Sequence, residues 1–126
     1  MKAMDTLNIL IVDDENIVRQ TLIAMIHHLG HGAEWAADGL AGQAAIQENH
    51  YNTAFVDIRM PGMDGLTLLK WSRKVHPDLP VIIMSGHGVE DSRDEALGSG
   101  AFAFLTKPFS LQDVKGLITE IQERLK

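Results

Sequence analysis

Short runs of apolar residues alternate along the chain with longer stretches in which apolar residues recur about every 3.6 positions. Four of these runs are strongly apolar and one is weaker; in chain order they cover residues 7–12, 33–37, 53–58, 80–85 and 101–106. Such an alternation is typical of strand-helix repeats that build a parallel sheet. The pattern therefore predicts an α/β domain with five strands, each followed by a helix.

Two of the runs, 7–12 and 80–85, hold continuous apolar stretches instead of alternating apolar with polar residues. Continuous apolarity is typical of parallel strands that helices cover on both faces. The weak run at 33–37 predicts an edge strand. The predicted helices lie near residues 18–29, 39–49, 66–75, 90–97 and 111–125. We therefore expect a doubly wound sheet, in which ligands bind beyond the carboxyl ends of the strands.

The composition indicates a single globular domain over residues 1–126. Hydrophobic residues make up 45% of the chain and charged residues 22%, as in an average globular protein. The absence of cysteine excludes disulfide frameworks, zinc ribbons and thiol chemistry. A net charge of −6 without a basic stripe argues against direct binding to nucleic acid.

No segment of the sequence is typical of export or of membrane insertion. Asp5 lies where a secretory signal would need apolar residues. The longest uncharged run, around residues 22–33, falls short of the ~20 apolar residues that span a bilayer. We therefore expect a soluble, cytoplasmic protein that does not bind membranes.

Polar residues that can bind ligands or take part in catalysis follow four of the five predicted strands. They are Asp13, Asp14 and Glu15 after the first strand, Asp57 at the end of the third, Ser85 at the end of the fourth and Lys107 at the end of the fifth. Because the carboxyl ends of parallel strands meet at one edge of a sheet, we expect these side chains to lie together. Two carboxylates 4 Å apart repel by about 4 kcal/mol at an effective dielectric constant of 20, so a cation is expected among them.

A divalent metal ion and Lys107 are the candidate cations. Carboxylates from two strands, a main-chain carbonyl and water form the hard oxygen site that suits Mg²⁺ or Mn²⁺. Lys107 adds a positive charge from the fifth strand. Simpler interpretations remain open at this point, because Asp14 or Asn16 can cap the first helix and Lys107 can be an ordinary surface lysine.

Four sequence blocks carry a resemblance to the receiver domain of two-component response regulators. The blocks are LIVDDE at 10–15, VDIRMPGMDG at 56–65, VIIMSG at 81–86 and GAFAFLTKPF at 100–109. Their joint spacing is more specific than any block alone, with 43 residues from Asp14 to Asp57, 28 more to Ser85 and 22 more to Lys107. The resemblance covers nearly the whole chain and implies a flavodoxin-like (βα)5 sheet in the strand order 2-1-3-4-5.

The resemblance implies that Asp57 accepts a phosphoryl group from the phosphohistidine of a sensor histidine kinase or of a phosphotransfer protein. It also implies that Asp13, Asp14, Asp57 and the main-chain carbonyl of Arg59 hold Mg²⁺. Elementary chemistry agrees with this division of roles, because phosphoryl transfer needs positioning and charge neutralisation more than covalent help. The chain would catalyse its own phosphorylation and slow dephosphorylation without being a conventional enzyme.

The resemblance assigns the remaining parts of the switch to the fourth and fifth strands. Lys107 and the Ser85 hydroxyl would contact the phosphoryl oxygens, and the bond between Lys107 and Pro108 would be a cis peptide. Movement of Ser85 would let Phe104 swing inward and change the surface formed by the fourth helix, fifth strand and fifth helix. Phe102 is expected to point the same way as Phe104, since side chains two positions apart share a face of a strand.

Two further positions are expected to set the lifetime of the phosphorylated state. Arg59 lies two positions after Asp57, and His87 lies two positions after Ser85. In receiver domains these positions flank the attacking water. The Arg59 guanidinium would shield the phosphoryl group or pair with Glu15, and His87 would order water.

The implied partners are a kinase or phosphotransfer protein on the input side and a downstream protein or fused output domain on the other. A homodimer that depends on phosphorylation is a further possibility. No effector domain is expected within residues 1–126.

Three alternatives have the same fold class but a different function. An interaction module of this fold would bind its partner without phosphorylation. A haloacid-dehalogenase-like phosphatase would also use an aspartyl nucleophile, but it needs an acid where Arg59 stands. A flavodoxin-like flavin carrier is the poorest match, because the acids at 13–15 would repel the flavin phosphate.

Overall fold

The computed structural model describes residues 6–86 and 89–125, in which five strands alternate with five helices. The strands are β1 (Asn8–Val12), β2 (Gly32–Ala36), β3 (Thr53–Asp57), β4 (Val81–Ser85) and β5 (Ala103–Thr106). The helices are α1 (Asn16–His28), α2 (Gly39–Glu48), α3 (Gly65–Val75), α4 (Val89–Gly98) and α5 (Leu111–Arg124). The predicted elements are therefore confirmed, with most boundaries shifted by one or two residues.

The five strands form one parallel sheet in the order β2-β1-β3-β4-β5, as predicted. The chain winds outward from β1 to the edge strand β2, and then crosses back over β1 to β3. The direction of winding thus changes between β1 and β3, which pair side by side with Val12 opposite Val56. A crevice for ligands is expected at this point, beyond the carboxyl ends of the two strands.

The three central strands β1, β3 and β4 bury both of their faces, which explains their continuous apolar runs. Leu10, Val12 and Val56 pack on one face of the sheet against α2, α3 and α4. Ile11 and Phe55 pack on the opposite face against α1 and α5. Successive residues of one strand therefore belong to different halves of the core, and a polar residue is tolerated only where the strand ends.

Side chains cap three of the helices. The Asp38 carboxylate accepts a hydrogen bond from the Ala41 N–H at the start of α2, and Asp64 does the same for the Thr67 N–H at the start of α3. Ser110 opens α5 with a capping box. Such caps satisfy N–H groups that have no partner inside the helix.

The first helix starts differently from these three. Its N-cap is Glu15, and no side chain forms a capping hydrogen bond there. The interpretation of Asp14 or Asn16 as a cap is therefore wrong. The Asn16 Oδ1 atom instead accepts a hydrogen bond from Arg19 Nη2 at 3.3 Å, and the Glu15 N–H donates to Asp13 Oδ1 at 2.8 Å. The loop between β1 and α1 is thus held by Asp13 and Arg19.

The expectation that Phe102 and Phe104 share a face is also wrong. Phe104 packs with the α2-α3-α4 half of the core, whereas Phe102 packs with the α1-α5 half and has the Arg124 guanidinium 5.1 Å from its ring. The reason is that β5 begins only at Ala103. Phe102 lies in the turn before the strand, where the alternation of strand side chains does not apply.

No helix in the described ranges is long and apolar enough to cross a membrane.

His31 ties the start of β1 to the turn after α1. Its Nδ1 atom accepts a hydrogen bond from the Leu7 N–H at 2.9 Å, and burial lowers the pKa of His31 below its ordinary 6.5. A protonated ring cannot accept this bond. Because the folded-state pKa is the lower one, the stabilisation is complete above about pH 6.5 and is lost as the pH falls through the lowered value.

We predict that His31→Gln lowers the free energy of unfolding by about 1 kcal/mol at pH 7.5 and reduces its dependence on pH. Urea denaturation between pH 7.5 and 5 measures both quantities. The matched control is His50→Gln, because the His50 side chain is exposed and, among the described residues, His50 forms its hydrogen bond through the main-chain carbonyl. Equal pH slopes in wild type and His31→Gln would contradict the assignment.

Candidate functional site

A cleft of about 880 Å³ lies at the carboxyl edge of the sheet. Its polar wall is formed by Asp14, Glu15, Asp57, Arg59, Ser85 and Lys107. Its apolar wall is formed by Ile17, Val18, Ile58, Pro108 and Phe109. The cleft therefore joins the ends of β1, β3, β4 and β5, where the sequence predicts the chemistry to lie.

Four carboxylates gather in and beneath this cleft. Asp13, Asp14, Glu15 and Asp57 each place one oxygen within 4.8 Å of the others. Asp13 and Asp57 are buried, whereas Asp14 and Glu15 are exposed. The pairing of β1 with β3 brings Asp13 and Asp57 together, and the loop from β1 to α1 adds Asp14 and Glu15. Like charges at this separation repel by several kcal/mol, so the cluster needs cations.

Among the described residues, Lys107 is the cation that contacts the carboxylates of this cluster. Its Nζ atom donates to Asp13 Oδ2 at 2.9 Å and to Asp57 Oδ1 at 3.2 Å. Glu15 Oε1 lies 3.5 Å from the same nitrogen. Only 15% of the Lys107 side chain is exposed, so an ordinary surface lysine does not describe it. The peptide bond between Lys107 and Pro108 is cis.

The charges in the cluster shift the pKa values of its members. Burial and the charge of Asp13 raise the pKa of Asp57 to about 6, although Lys107 opposes the shift. Burial lowers the pKa of Lys107, but the hydrogen bond to Asp13 and the charge of Asp57 outweigh it and raise the pKa. At neutral pH Asp57 is therefore an ionised carboxylate beside a protonated ammonium.

Ser85 places at the cleft a hydroxyl that has no hydrogen-bond partner in the described part of the chain. Its side chain is 1% exposed, and within the described residues its Oγ atom has no hydrogen-bond partner. The neighbouring main chain is held firmly, because the Lys107 N–H donates to the Ser85 carbonyl oxygen at 2.8 Å. A buried hydroxyl without a partner is rare in proteins and calls for an explanation.

The loop after β3 presses on the main chain of Asp57. A Cβ atom at Gly65 would overlap the carbonyl oxygen of Asp57, so only glycine fits there. Arg59 lines the cleft from the same loop and is exposed. Within the described residues Arg59 forms no ion pair. Glu15 faces Lys107, so the predicted pairing of Glu15 with Arg59 is not observed. His87 lies outside the described residues.

Arg19 is the residue of this region that the sequence analysis missed. Its side chain is buried, and its Nη1 atom donates to the main-chain carbonyl oxygen of Asp13 at 2.9 Å. A signal was present in the sequence, because Arg19 lies three positions before Leu22 and seven before Ile26 on the buried face of α1. A charged residue on an apolar helix face points to a buried contact.

The sequence model of the family named response regulator receiver domain matches residues 9–119 of this chain. The chain belongs to the receiver domains of response regulators. Receiver domains serve signal transduction in two-component systems, so the signalling class expected from the sequence blocks is confirmed at the level of the family.

Several curated proteins are similar to this receiver domain. The transcriptional regulatory protein QseB of Haemophilus influenzae is 33% identical over 118 residues, which are 94% of this chain and 53% of that protein. The DNA-binding transcriptional regulator NtrC of Salmonella typhimurium is 38% identical over 108 residues, which are 86% of this chain and 23% of that protein. The chain thus spans about half or less of these relatives.

Solved structures agree with the fold. The receiver domain of the Francisella response regulator 1452 matches with a TM-score of 0.89 and 31% identity, covering 96% of this chain and all of that one. NtrX from Brucella abortus matches with a TM-score of 0.89 and 34% identity, covering 95% of this chain and 27% of that one.

We predict that Asp57→Asn stabilises the metal-free protein by about 1–3 kcal/mol at pH 7.5, because it removes a carboxylate whose pKa is raised by burial and by Asp13. The folded-state pKa of about 6 exceeds the ordinary 3.8, so ionisation costs stability above pH 6 and costs nothing below pH 3.8.

Urea denaturation in EDTA measures this effect, and the gain in stability should shrink as the pH falls from 7.5 to 4. The control is Asp78→Asn, which changes an exposed aspartate before β4, at the opposite end of the sheet from the cleft. A loss of stability in Asp57→Asn at pH 7.5 would mean that Lys107 outweighs the repulsion.

Proposed function

We propose that this receiver domain is a phosphorylation-activated switch in which Asp57 accepts a phosphoryl group from a sensor histidine kinase or phosphotransfer protein. One observation carries the proposal: the Asp57 carboxylate lines an open cleft with the Lys107 ammonium 3.2 Å from one of its oxygens. Among the described carboxylates, Asp57 alone is buried, lines this cleft and is paired with Lys107.

In the proposed step, an oxygen of the Asp57 carboxylate forms a bond to phosphorus while the bond between phosphorus and the donor imidazole nitrogen breaks. The electron pair of the broken bond returns to the imidazole, which leaves neutral once its other nitrogen carries a proton. Asp57 has no proton to lose, because it reacts as the carboxylate. The product is an acyl phosphate with a charge of about −1.5 to −2.

The donor atoms around Asp57 fit a divalent ion. All four clustered side chains offer carboxylate oxygens, which suit Mg²⁺ or Mn²⁺, and two of them are exposed to solvent. We assign Asp13, Asp14, Asp57 and the main-chain carbonyl of Arg59 to hold the ion. When bound, it would neutralise the carboxylates and withdraw charge from the phosphoryl oxygens.

Lys107 and Ser85 provide the contacts that favour the phosphorylated state. The Lys107 ammonium is already shared between Asp13 and Asp57, so it reaches a phosphoryl oxygen on Asp57 with little movement. The Ser85 hydroxyl has no partner to give up within the described residues. Both would donate to the phosphoryl group, as charge-assisted hydrogen bonds.

The output of the switch would pass through β5. Phe104 pairs with Ile83 across β4 and β5 and is only partly buried. Movement of Ser85 toward the phosphoryl group would free space for this ring and change the surface of α4, β5 and α5. Phenylalanine here keeps the steric coupling but offers no hydroxyl to a partner. Arg59 and His87 would set the lifetime of the acyl phosphate.

The partners follow from this chemistry. We assign residues 1–126 to one receiver domain, whose output comes from a downstream protein, a fused output domain or a homodimer formed on phosphorylation. The relatives QseB and NtrC, of which the chain covers 53% and 23%, are named as transcriptional regulators and favour a fused output domain. The cytoplasm is the expected location, because the phosphohistidine donor is formed there from ATP. Direct contact with nucleic acid is not part of the proposal.

We predict that acetyl phosphate and Mg²⁺ add one phosphoryl group to the wild type and none to Asp57→Asn. Intact-protein mass spectrometry under conditions that preserve acyl phosphates checks this. Asp78→Asn is the matched control and should be phosphorylated like the wild type, because Asp78 lies away from the cleft. An unchanged wild-type mass would overturn the proposed function and favour an interaction module that works without phosphorylation.

We predict that Ser85→Ala keeps the stability of the protein or raises it by about 1 kcal/mol, because the buried hydroxyl has no partner to lose. The same variant should lose most of the amide NMR shifts that beryllofluoride and Mg²⁺ cause in α4, β5 and α5.

Ser72→Ala is the matched control, since the Ser72 Oγ atom is also buried without a partner in the described ranges but lies on α3. It should respond to beryllofluoride like the wild type. An equal response of both variants would remove Ser85 from the switch.

A further inference from the structure

We propose that Arg19, held between Asp13 and the ring of Trp35, is a positioning residue that sets the affinity of the acidic cluster for divalent ions. The inference rests on the proposed function, because it concerns the ion that Asp13, Asp14 and Asp57 would hold. It goes beyond that function by coupling the site to the exposed edge strand β2.

The main chain of Asp13 is fixed from two sides. Its N–H donates to the Ala36 carbonyl oxygen on β2 at 3.2 Å, and its carbonyl oxygen accepts from Arg19 Nη1 at 2.9 Å. The second bond holds the plane of the peptide that joins Asp13 to Asp14. Because both residues are assigned to the metal, one guanidinium controls the direction of two carboxylates. Hydrogen bonds from a charged donor are about twice as strong as neutral ones.

Arg19 is a buried cation without an ion pair. It is 9% exposed, and within the described ranges no carboxylate lies within ion-pair distance of it. A buried charge is costly unless other charges or hydrogen bonds compensate it. The hydrogen bonds to the Asp13 carbonyl oxygen and to Asn16 Oδ1, together with the Trp35 ring, compensate the Arg19 charge. Lys107 therefore contacts the cluster through its side-chain oxygens, and Arg19 contacts it through the main chain.

Trp35 covers the guanidinium from solvent. The Arg19 Cζ atom lies 4.3 Å from the centre of the indole ring, within the range of a cation-π contact. Trp35 belongs to the edge strand, opposite Ile11 of β1, and is itself 53% exposed. The stacked ring and the Asn16 side chain fix the guanidinium in one orientation. In the part of the chain that the structure describes, Trp35 belongs to neither half of the hydrophobic core, and the contact with Arg19 explains its position.

The charge of Arg19 and its positioning role have opposite effects on Mg²⁺ affinity, so variants can distinguish the two. A positive charge near the site repels the ion, so its removal alone would tighten binding. An ordered Asp13-Asp14 peptide favours the ion, so disorder there would weaken binding. Arg19→Lys keeps the charge but loses the planar fork and the stacking on Trp35.

The test is isothermal titration of the full chain with Mg²⁺ alone. We expect Arg19→Lys to bind Mg²⁺ about tenfold more weakly than the wild type, the usual effect of losing a group that orients metal ligands. Arg19→Met should also bind Mg²⁺ more weakly than the wild type, but by a smaller factor, because it removes a positive charge that repels the ion. Trp35→Ala should weaken binding in the same direction, by a smaller factor, and keeps the experiment decisive if Arg19→Met does not fold. The matched control is Arg93→Met, which removes an exposed arginine on α4 and should leave the affinity unchanged.

A spectroscopic measurement separates positioning from general destabilisation. The chain holds two tryptophans, so a Trp71→Phe background leaves Trp35 as the single emitter. Mg²⁺ should change Trp35 emission with the midpoint found by calorimetry, and Arg19→Lys should abolish this change at a temperature where the variant is folded.

Each outcome decides a different point. Tighter binding in Arg19→Met, or equal affinity in Arg19→Lys and the wild type, would overturn the positioning role while leaving the proposed function intact. Failure of the wild type to bind Mg²⁺ would overturn the metal site itself and, with it, this inference.

Discussion

The contact of Lys107 with Asp13 and Asp57 is the interaction on which the arrangement of the carboxyl edge depends. It joins the end of β5 to the ends of β1 and β3, although β5 pairs with neither of those strands. The ammonium does not fully balance the acids around it, since burial and Asp13 still raise the pKa of Asp57 to about 6. The site is therefore held together while keeping an excess of negative charge, which is the condition for taking up a further cation.

Much of this could be predicted from the order of residues, because the physics involved is local. Strands buried on both faces must be continuously apolar, so Asp13, Asp57 and Ser85 marked the strand ends with little ambiguity. Once the strands are parallel, their ends share an edge, and the lysine after the fifth strand must lie near the acids after the first. The structure places Lys107 Nζ 2.9 Å from Asp13 and 3.2 Å from Asp57.

The features that escaped prediction depend on side-chain directions that sequence spacing does not determine. Glu15 is the N-cap of the first helix, and its carboxylate lies 3.5 Å from Lys107 Nζ, a direction that its position in the sequence does not determine. Phe102 lies just before β5, so a shift of two residues in the predicted strand start put it on the wrong face. Arg19 was overlooked because its partner is a main-chain carbonyl, and main-chain acceptors leave no mark in a sequence.

The same bonds that hold the unphosphorylated site also define how it would change. Asp13 has all of its polar groups engaged: its N–H by Ala36, its carbonyl by Arg19, and its carboxylate by the Glu15 N–H and by Lys107. Asp13 is therefore a fixed point. Within the described residues, Ser85 is the opposite case, with a held main chain and an unused hydroxyl. New negative charge on Asp57 would act on both residues, but only the Ser85 hydroxyl can turn toward it without breaking a hydrogen bond. In the proposed function the response to phosphorylation is therefore directed toward β4, β5 and α4, and away from β1 and β2.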